Sequence, residues 1–342
     1  LPYRNTARLE QIASHGNSCG WLFLSVETGS STLNAFLKIA DPQSGIVVKK
    51  IANAYVVQTI DGALTCTLSQ HLKRQSTGDP VTIGDQVCWN DAAQITTVLP
   101  RRNQLSRRSA VPMPGAHAHE QIIAANVDQV VPVFAAASPR LAWPLLDRYL
   151  VSAEAAGIPA LVCITKLDLV QGRPEGEEIE AVADEYRAIG YGVILTSTHS
   201  GLGMEDFKAA LHGQLSVLVG KSGVGKTSLL NAIESGLGLR VQETSRVTGK
   251  GRHTTTHQEL FALASGGAII DTPGVREFGL WDVDADDLAL FFPEMRPLVG
   301  TCKFGRDCRH IHEPGCSIRQ AVNAGRISPY RYESYLKLRA AS

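Results

Sequence analysis

Gly220-Lys221-Ser222-Gly223-Val224-Gly225-Lys226-Thr227 constrains this 342-residue chain more than any other stretch. It matches the pattern GxxxxGK[ST] in full. The apolar run Leu215 to Val219 precedes it, and a helix-like run, Ser228-Leu229-Leu230-Asn231-Ala232, follows. Strand, glycine-rich turn and helix in that order make a cradle for phosphate. The glycines let backbone N–H groups curl around phosphate oxygens, and the helix N-terminus adds its positive dipole end. Residues Gly220 to Ser228 are therefore expected to contact nucleotide. Lys226 is expected to bridge the β- and γ-phosphates, and Thr227 to ligate Mg²⁺. A chance glycine-rich turn is the competing reading, and the flanking strand and helix argue against it.

The phosphate loop does not choose the base. Thr165-Lys166-Leu167-Asp168, just after the apolar run Ala160 to Ile164, matches [NT]KxD. An Asp carboxylate there accepts two N–H groups of guanine, a pair that adenine does not offer, while the Lys stem lies along the base. Ser197, after Gly192 to Leu195, is placed to bring backbone N–H groups to the guanine oxygen. Asp271-Thr272-Pro273-Gly274 follows Ala268 to Ile270 and matches DxxG. Asp271 is expected to hold Mg²⁺ through water, and the Gly274 N–H to sense the γ-phosphate. Gly251-Arg252-His253-Thr254-Thr255-Thr256 lies between these motifs. One of its threonines, taken as Thr255, is expected to ligate Mg²⁺ when GTP is bound. The lead-in from Thr244 to Gly251 has the composition of a switch loop ordered by γ-phosphate.

The order of the motifs is decisive. Ordinary GTPases read phosphate loop, switch threonine, DxxG, [NT]KxD, then the Ser loop. Here TKLD and Ser197 come first and DTPG last, the same cycle cut elsewhere. A compact domain with neighbouring termini accepts such a cut. DTPG then leads straight into the C-terminal region.

Length argues for two or three domains, at roughly 150 residues each. From Gly45 to about Leu99, short β-branched runs recur: Ile46 to Val48, Tyr55 to Val57, Leu64 to Leu68, Val81 to Ile83 and Gln94 to Val98. Asp61-Gly62 marks a hairpin turn between two of them. Five such strands predict a small all-β barrel of the oligonucleotide-binding (OB) type, over 45–105. Arg101-Arg102 and Arg107-Arg108 follow, as a solvated face or as a surface for phosphates. From 106 to 290, strands alternate with helical candidates (Pro144 to Ala156, Glu177 to Ile189, Met204 to His212, Lys226 to Glu234). That pattern predicts an α/β P-loop GTPase domain with circularly permuted motif order and a mainly parallel sheet. Residues 291–342 form a Cys/His-rich and then helical unit, and residues 1–44 are assigned no function.

Lys and Arg number 33 against 33 Asp and Glu, so any nucleic-acid contact must come from local patches. No apolar run reaches the ~18 residues of a membrane span. No basic start followed by an apolar core suggests a secretory signal, although the chain opens on Leu1 rather than Met. Four of the seven cysteines are scattered, which argues against a disulfide framework. Cys302, Cys308 and Cys316 cluster with His310 and His312 nearby. Three thiolates and one imidazole suit a closed, tetrahedral structural zinc site with no position left for catalytic water.

The permuted order resembles that of the ribosome small-subunit-dependent GTPase A family. So do the strings GKSGVGKTSLLN, GKGRHTTTH, DTPGVREFGLW and the Cys/His cluster with EPGC, and the resemblance runs from about Gly45 to the C-terminus. It implies an OB barrel, a permuted GTPase core and a C-terminal zinc domain. It further implies binding to the 30S subunit during late assembly, with the ribosome stimulating GTP hydrolysis, and contacts from barrel and zinc domain to 16S rRNA. The resemblance also selects His310 over His312 as fourth ligand of a single zinc ion. A cytoplasmic, monomeric protein is expected. The chain departs from the family pattern at Lys221, at Thr165 in place of Asn, and in a Cys302–Cys308 gap one residue longer.

Val275 stands where small GTPases often carry a water-orienting Gln, so intrinsic hydrolysis is expected to be slow. His253 is the candidate catalytic residue for that role, with a surface or RNA contact as its alternative. A competing function is an RNA-binding scaffold with structural GTP and incidental hydrolysis. A P-loop kinase fits less well, because kinases need neither TKLD nor DTPG.

Overall fold

The computed structural model describes residues 42–75, 80–108, 120–234, 259–271 and 283–341. Strands β1 (Ser44–Ile51), β2 (Ala54–Thr59), β3 (Gly62–Leu68), β4 (Gln86–Trp89) and β5 (Gln94–Val98) make an N-terminal barrel. Their order is β1-β2-β3-β5-β4, and β4 closes back on β1. The β3–β5 pair is parallel and the others antiparallel. Val47, Tyr55, Val57, Cys66, Val81, Val87 and Ile95 fill its centre. The turn at Ile60-Asp61 joins β2 and β3, with Thr59 paired to Gly62. A short helix α1 (Gln70–Gln75) follows β3.

The fourth strand is not where the sequence pattern placed it. Val81 and Thr82 lie in no strand, Ile83 makes only an isolated bridge to Ala124, the chain turns over Thr82 to Asp85, and β4 is the four-residue run after that turn. The reason is that the two apolar residues serve different cores: Val81 enters the barrel, Ile83 the core of the next domain. Asp85, fully buried, holds the turn by accepting from the Thr82 N–H at 2.8 Å. Arg101 grips the same carboxylate with two bonds of 2.7 and 2.8 Å. Arg102 pairs with Asp128 at 2.6 Å, and Arg107 donates to Gln121. Arg101, Arg102 and Arg107, three of the four arginines read as a phosphate surface, thus have partners within the chain.

A two-stranded hairpin, β6 (Gln104–Arg108) with β7 (Glu120–Ala125), leads into a second sheet. Its strands are β8 (Gln129–Ala135), β9 (Leu161–Thr165), β10 (Gly192–Leu195), β11 (Leu215–Val219), β12 (Glu259–Ala262) and β13 (Ala268–Asp271). The order is β10-β9-β8-β11-β13-β12, parallel except for β12. β12 also meets β1 at Lys49↔Glu259, which joins barrel and sheet edge to edge. Helices α2 (Trp143–Ala155), α3 (Pro174–Ile189), α4 (Met204–Leu211) and α5 (Lys226–Ile233) cover both faces. Alternation along β8 shows how: Val130 and Phe134 pack with Leu146, Tyr149, Ile179 and Tyr186 of α2 and α3. Val131, Val133 and Ala135 pack with Phe207, Leu211, Leu229 and Leu230 of α4 and α5. Prolines in the first turns of α2 and α3 and a left-handed Gly190 after α3 mark the helix ends.

The C-terminal unit carries α6 (Ser317–Asn323) and α7 (Pro329–Ala341). Its core of Leu288, Phe292, Met295, Ile318, Tyr335 and Leu338 includes Val151 of α2, so the unit is seated on the α/β domain. No helix among the described residues is long and apolar enough to cross a membrane.

Candidate nucleotide site and metal centre

β8, β9, β10 and β11 run parallel, so the turns that follow them gather at one end of the sheet. Strand order reverses at the β8–β11 boundary, where sheets of this kind open a ligand crevice. The phosphate loop leaves β11 there. Asp271 ends β13 beside Leu218 of β11. TKLD leaves β9 and Ser197 leaves β10. Gly220 has φ +154°, and a Cβ on it would lie 2.3 Å from the Val133 carbonyl oxygen, so only glycine fits against β8. Gly225, at φ +99°, opens α5.

The base motif and the phosphate loop are tied directly. Thr165 Oγ1 donates to the Val224 carbonyl at 2.5 Å and lies 3.2 Å from the Phe134 carbonyl. Threonine therefore makes a tether between the two motifs with its hydroxyl. The Lys166 ammonium donates to the Gly223 carbonyl at 2.7 Å and also to the Ser138 carbonyl. Burial pushes the Lys166 ammonium down, countered by the neighbouring Asp168. Ser197 Oγ donates to Asp168 Oδ1 at 2.5 Å. Leu167 and Val224 are buried, so those two side chains build the site rather than line it. Lys226 curls back over its own loop, donating to the carbonyls of Gly220 (2.6 Å) and Lys221 (3.0 Å). Burial lowers its pKa and Asp271 opposes that shift. Lys221 and Ser222 are exposed on the outer turn. His253, Thr255 and Gly274, with Val275 and the other switch threonines, lie outside the described residues.

The second cluster is metallic in form. The ligand atoms of Cys302, Cys308, His310 and Cys316 all lie within 4.8 Å of one another, and all four residues are buried. Cys302 Sγ and Cys316 Sγ are 3.9 Å apart, and each is 3.5 Å from His310 Nδ1. A tetrahedral zinc ion has S···S edges of about 3.8 Å and S···N edges of about 3.5 Å, from its usual bond lengths. The donor set fits. His312 is exposed and stands outside the cluster. His310 sits at φ +60°, held by a turn in which the Glu313 carboxylate accepts from the N–H groups of Arg309, Ile311 and His312. Burial pushes the Cys308 thiol up to about 12, and a cation held among the sulfurs would favour its thiolate.

Sequence reasoning missed one network. Asp147 of α2, buried, accepts from Arg331 of α7 and from the Tyr186 hydroxyl of α3, each at 2.5 Å. Its partners lie 184 and 39 positions away, and nothing local in the sequence pairs them.

A family model described as RsgA GTPase matches residues 98–281. A small ribosomal subunit biogenesis GTPase RsgA from Gemmatimonas aurantiaca is 43% identical over 304 residues, covering 86% of this chain and 96% of that one. The chain belongs to the RsgA GTPase family. The protein of the same name from Pseudomonas aeruginosa is also 43% identical, covering 87% of this chain and 85% of its own. Two solved structures agree in fold. YjeQ from Thermotoga maritima superposes with a TM-score of 0.68 at 30% identity, over 87% of this chain and 98% of that one. YloQ, described as a circularly permuted GTPase, gives 0.65 at 31% identity, over 87% and 94%. This RsgA-family chain therefore has the permuted GTPase fold: its TKLD strand β9 precedes its phosphate-loop strand β11.

Proposed function

We propose that this chain hydrolyses GTP as a timer in late maturation of the 30S ribosomal subunit. The observation that carries the reading is the direct hydrogen-bonded tether between TKLD and the phosphate loop, in a chain of the RsgA GTPase family. A guanine-selecting motif fixed to a phosphate cradle makes GTP or GDP the ligand. Asp168 and Ser197 take the base, Gly220 to Ser228 take the phosphates, and Thr165, Lys166 and Leu167 hold the two together. Thr227, Asp271 and Thr255 hold Mg²⁺, which neutralises charge on the β- and γ-phosphates. Gly274 senses the γ-phosphate, and His253 orients the attacking water. Zinc at Cys302, Cys308, His310 and Cys316 is structural: it fixes the loop that carries them.

We assign the barrel to 45–105, the GTPase domain to 106–290 and the zinc domain to 291–342. The zinc domain is the stronger candidate for contact with 16S rRNA. It carries nine Lys and Arg against four Asp and Glu, while the rest of the chain carries 24 against 29. Lys303 lies 5.9 Å over the ring of Phe304, which is 47% exposed in the turn between the first two ligands. Cations beside an exposed ring suit phosphates and an unpaired base. Ribosome assembly places such a factor in the cytoplasm, acting as a monomer on each subunit.

The test is GTP hydrolysis with and without purified 30S subunits, beside Lys226→Ala and an ATP control. Strong stimulation, lost in the variant and absent with ATP, is expected. Tight GTP binding with no stimulation would support the RNA-binding scaffold instead.

A further inference from the structure

We infer that Arg331 is a positioning residue through which the C-terminal Cys/His unit sets how tightly the guanine site holds its nucleotide. The inference rests on the GTPase reading above. Arg331 is 1% exposed in α7. It donates to Asp147 Oδ1 at 2.5 Å and to the two oxygens of Glu294 at 2.7 and 3.1 Å. Its guanidinium also lies over the rings of Phe292 (4.6 Å), Tyr186 (5.4 Å) and Tyr191 (5.9 Å). An apolar contact would seat the unit equally well, because buried ion pairs add little net stability over well-packed apolar groups. What the planar, five-donor guanidinium adds is one fixed arrangement of α2, α3 and α7.

That arrangement has a continuous path on each side. Towards the metal, the hydroxyls of Tyr332 and Tyr335, also on α7, donate to the carbonyls of His310 (2.6 Å) and Arg309 (2.9 Å). The position of α7 is thereby tied to the ligand loop. Towards the nucleotide, Tyr186 stacks on Trp143 at 5.7 Å and 21°, and Trp143 is the first residue of α2. Tyr149 of α2 packs against Phe134 of β8 at 5.7 Å. The stretch between, from Phe134 to Trp143, meets TKLD at two points: the Ala136 N–H donates to the Thr165 carbonyl at 2.8 Å, and the Ser138 carbonyl accepts from Lys166. Moving α2 moves both contacts. A partner that binds the C-terminal unit thus has a route to the base site separate from the one through DTPG.

The experiment measures release of a fluorescent GDP analogue, with KM and kcat for GTP, on the full chain with its metal loaded and then chelated. Arg331→Met is compared with the triple variant Arg331→Met, Asp147→Leu, Glu294→Leu. The triple variant removes all three charges and so remains folded if the single one does not. GDP release is expected to quicken about tenfold in both, the scale of a typical coupling between sites. KM rises while saturated kcat stays unchanged. Chelation quickens release in the unaltered protein and adds nothing in the variants. A folded triple variant with unaltered release, or one that still responds fully to chelation, overturns the inference. Absence of GDP binding by the unaltered protein would instead defeat the GTPase reading itself.

Discussion

Single side chains at the base site divide into those that meet the nucleotide and those that fix the ones that do. Asp168 is proposed for the first group: Ser197 holds its Oδ1, and it follows β9 at the end of the sheet where the phosphate loop leaves β11. A carboxylate accepts from guanine, whereas an amide presents a donor in the same place. Asp168→Asn is therefore expected to weaken GTP about 100-fold or more, since each charged hydrogen bond contributes about 1.5–3 kcal/mol. The same variant should gain xanthosine triphosphate, which offers an acceptor there. Competition binding with the two nucleotides checks both halves. Thr165 belongs to the second group. Its single proton goes to Val224, so it has no donor left for the base, and its work is to hold the phosphate loop against β9.

The Cys/His knuckle shows how a short, irregular segment is shaped around its four candidate ligands. Gly305–Asp307 is a single 3-10 turn between Cys302 and Cys308, and Cys316 caps α6, its sulfur accepting from the Arg319 N–H. Zinc bound there would add folding free energy to that of the apolar core in which the three cysteines sit. Glu313 does not touch the cluster but gathers three N–H groups around His310. Burial pushes its carboxyl up, but those backbone donors outweigh it and bring it down to about 2. Glu313→Ala is expected to lower zinc affinity about 10–100-fold, the usual cost of losing an outer partner. Competition with a chromogenic chelator reads this out. Elsewhere an element was misplaced: Val81 to Ile83 alternates like a strand, yet it leads into a turn and serves two cores, fixed by Asp85 and Arg101.

On the scale of the molecule, the three units meet by unlike means. Barrel and α/β domain share a strand edge at Lys49↔Glu259 and the turn at Ile83, which bridges Ala124. The Lys49–Glu259 ion pair is about a third exposed, so it fixes register more than it stabilises. The C-terminal unit instead docks through buried Val151 and the Arg331 network. Its basic character leads to a prediction about salt. The double variant Lys303→Gln, Arg306→Gln should bind 30S subunits more weakly and with a shallower dependence on salt, by about 0.7 per lost phosphate contact on a single strand. Sedimentation of the complex across a salt series tests it. Phe304→Ala should weaken binding without altering that slope, because stacking releases no counterions.

By itself the sequence determined the chemistry. Phosphate loop, TKLD, DTPG and the Cys/His spacing are each legible locally: a glycine where no Cβ fits, a carboxylate of the kind guanine requires, thiols spaced to come within reach of one another. Their order along the chain also established the permutation, and four helices of the α/β domain and five of its strands, the apolar run Val130 to Phe134 among them, follow from apolar periodicity. Tertiary structure decided what depends on groups far apart in sequence. It showed that Thr165 reaches Val224, that Arg101 serves Asp85 rather than an outside phosphate, that β12 and β4 complete their sheets, and that Arg331 closes on Asp147. Each of these is a pairing of a donor with an acceptor, or of one strand edge with another, that no local pattern encodes. Each exists because folding brought polar groups that are distant in sequence within reach of one another.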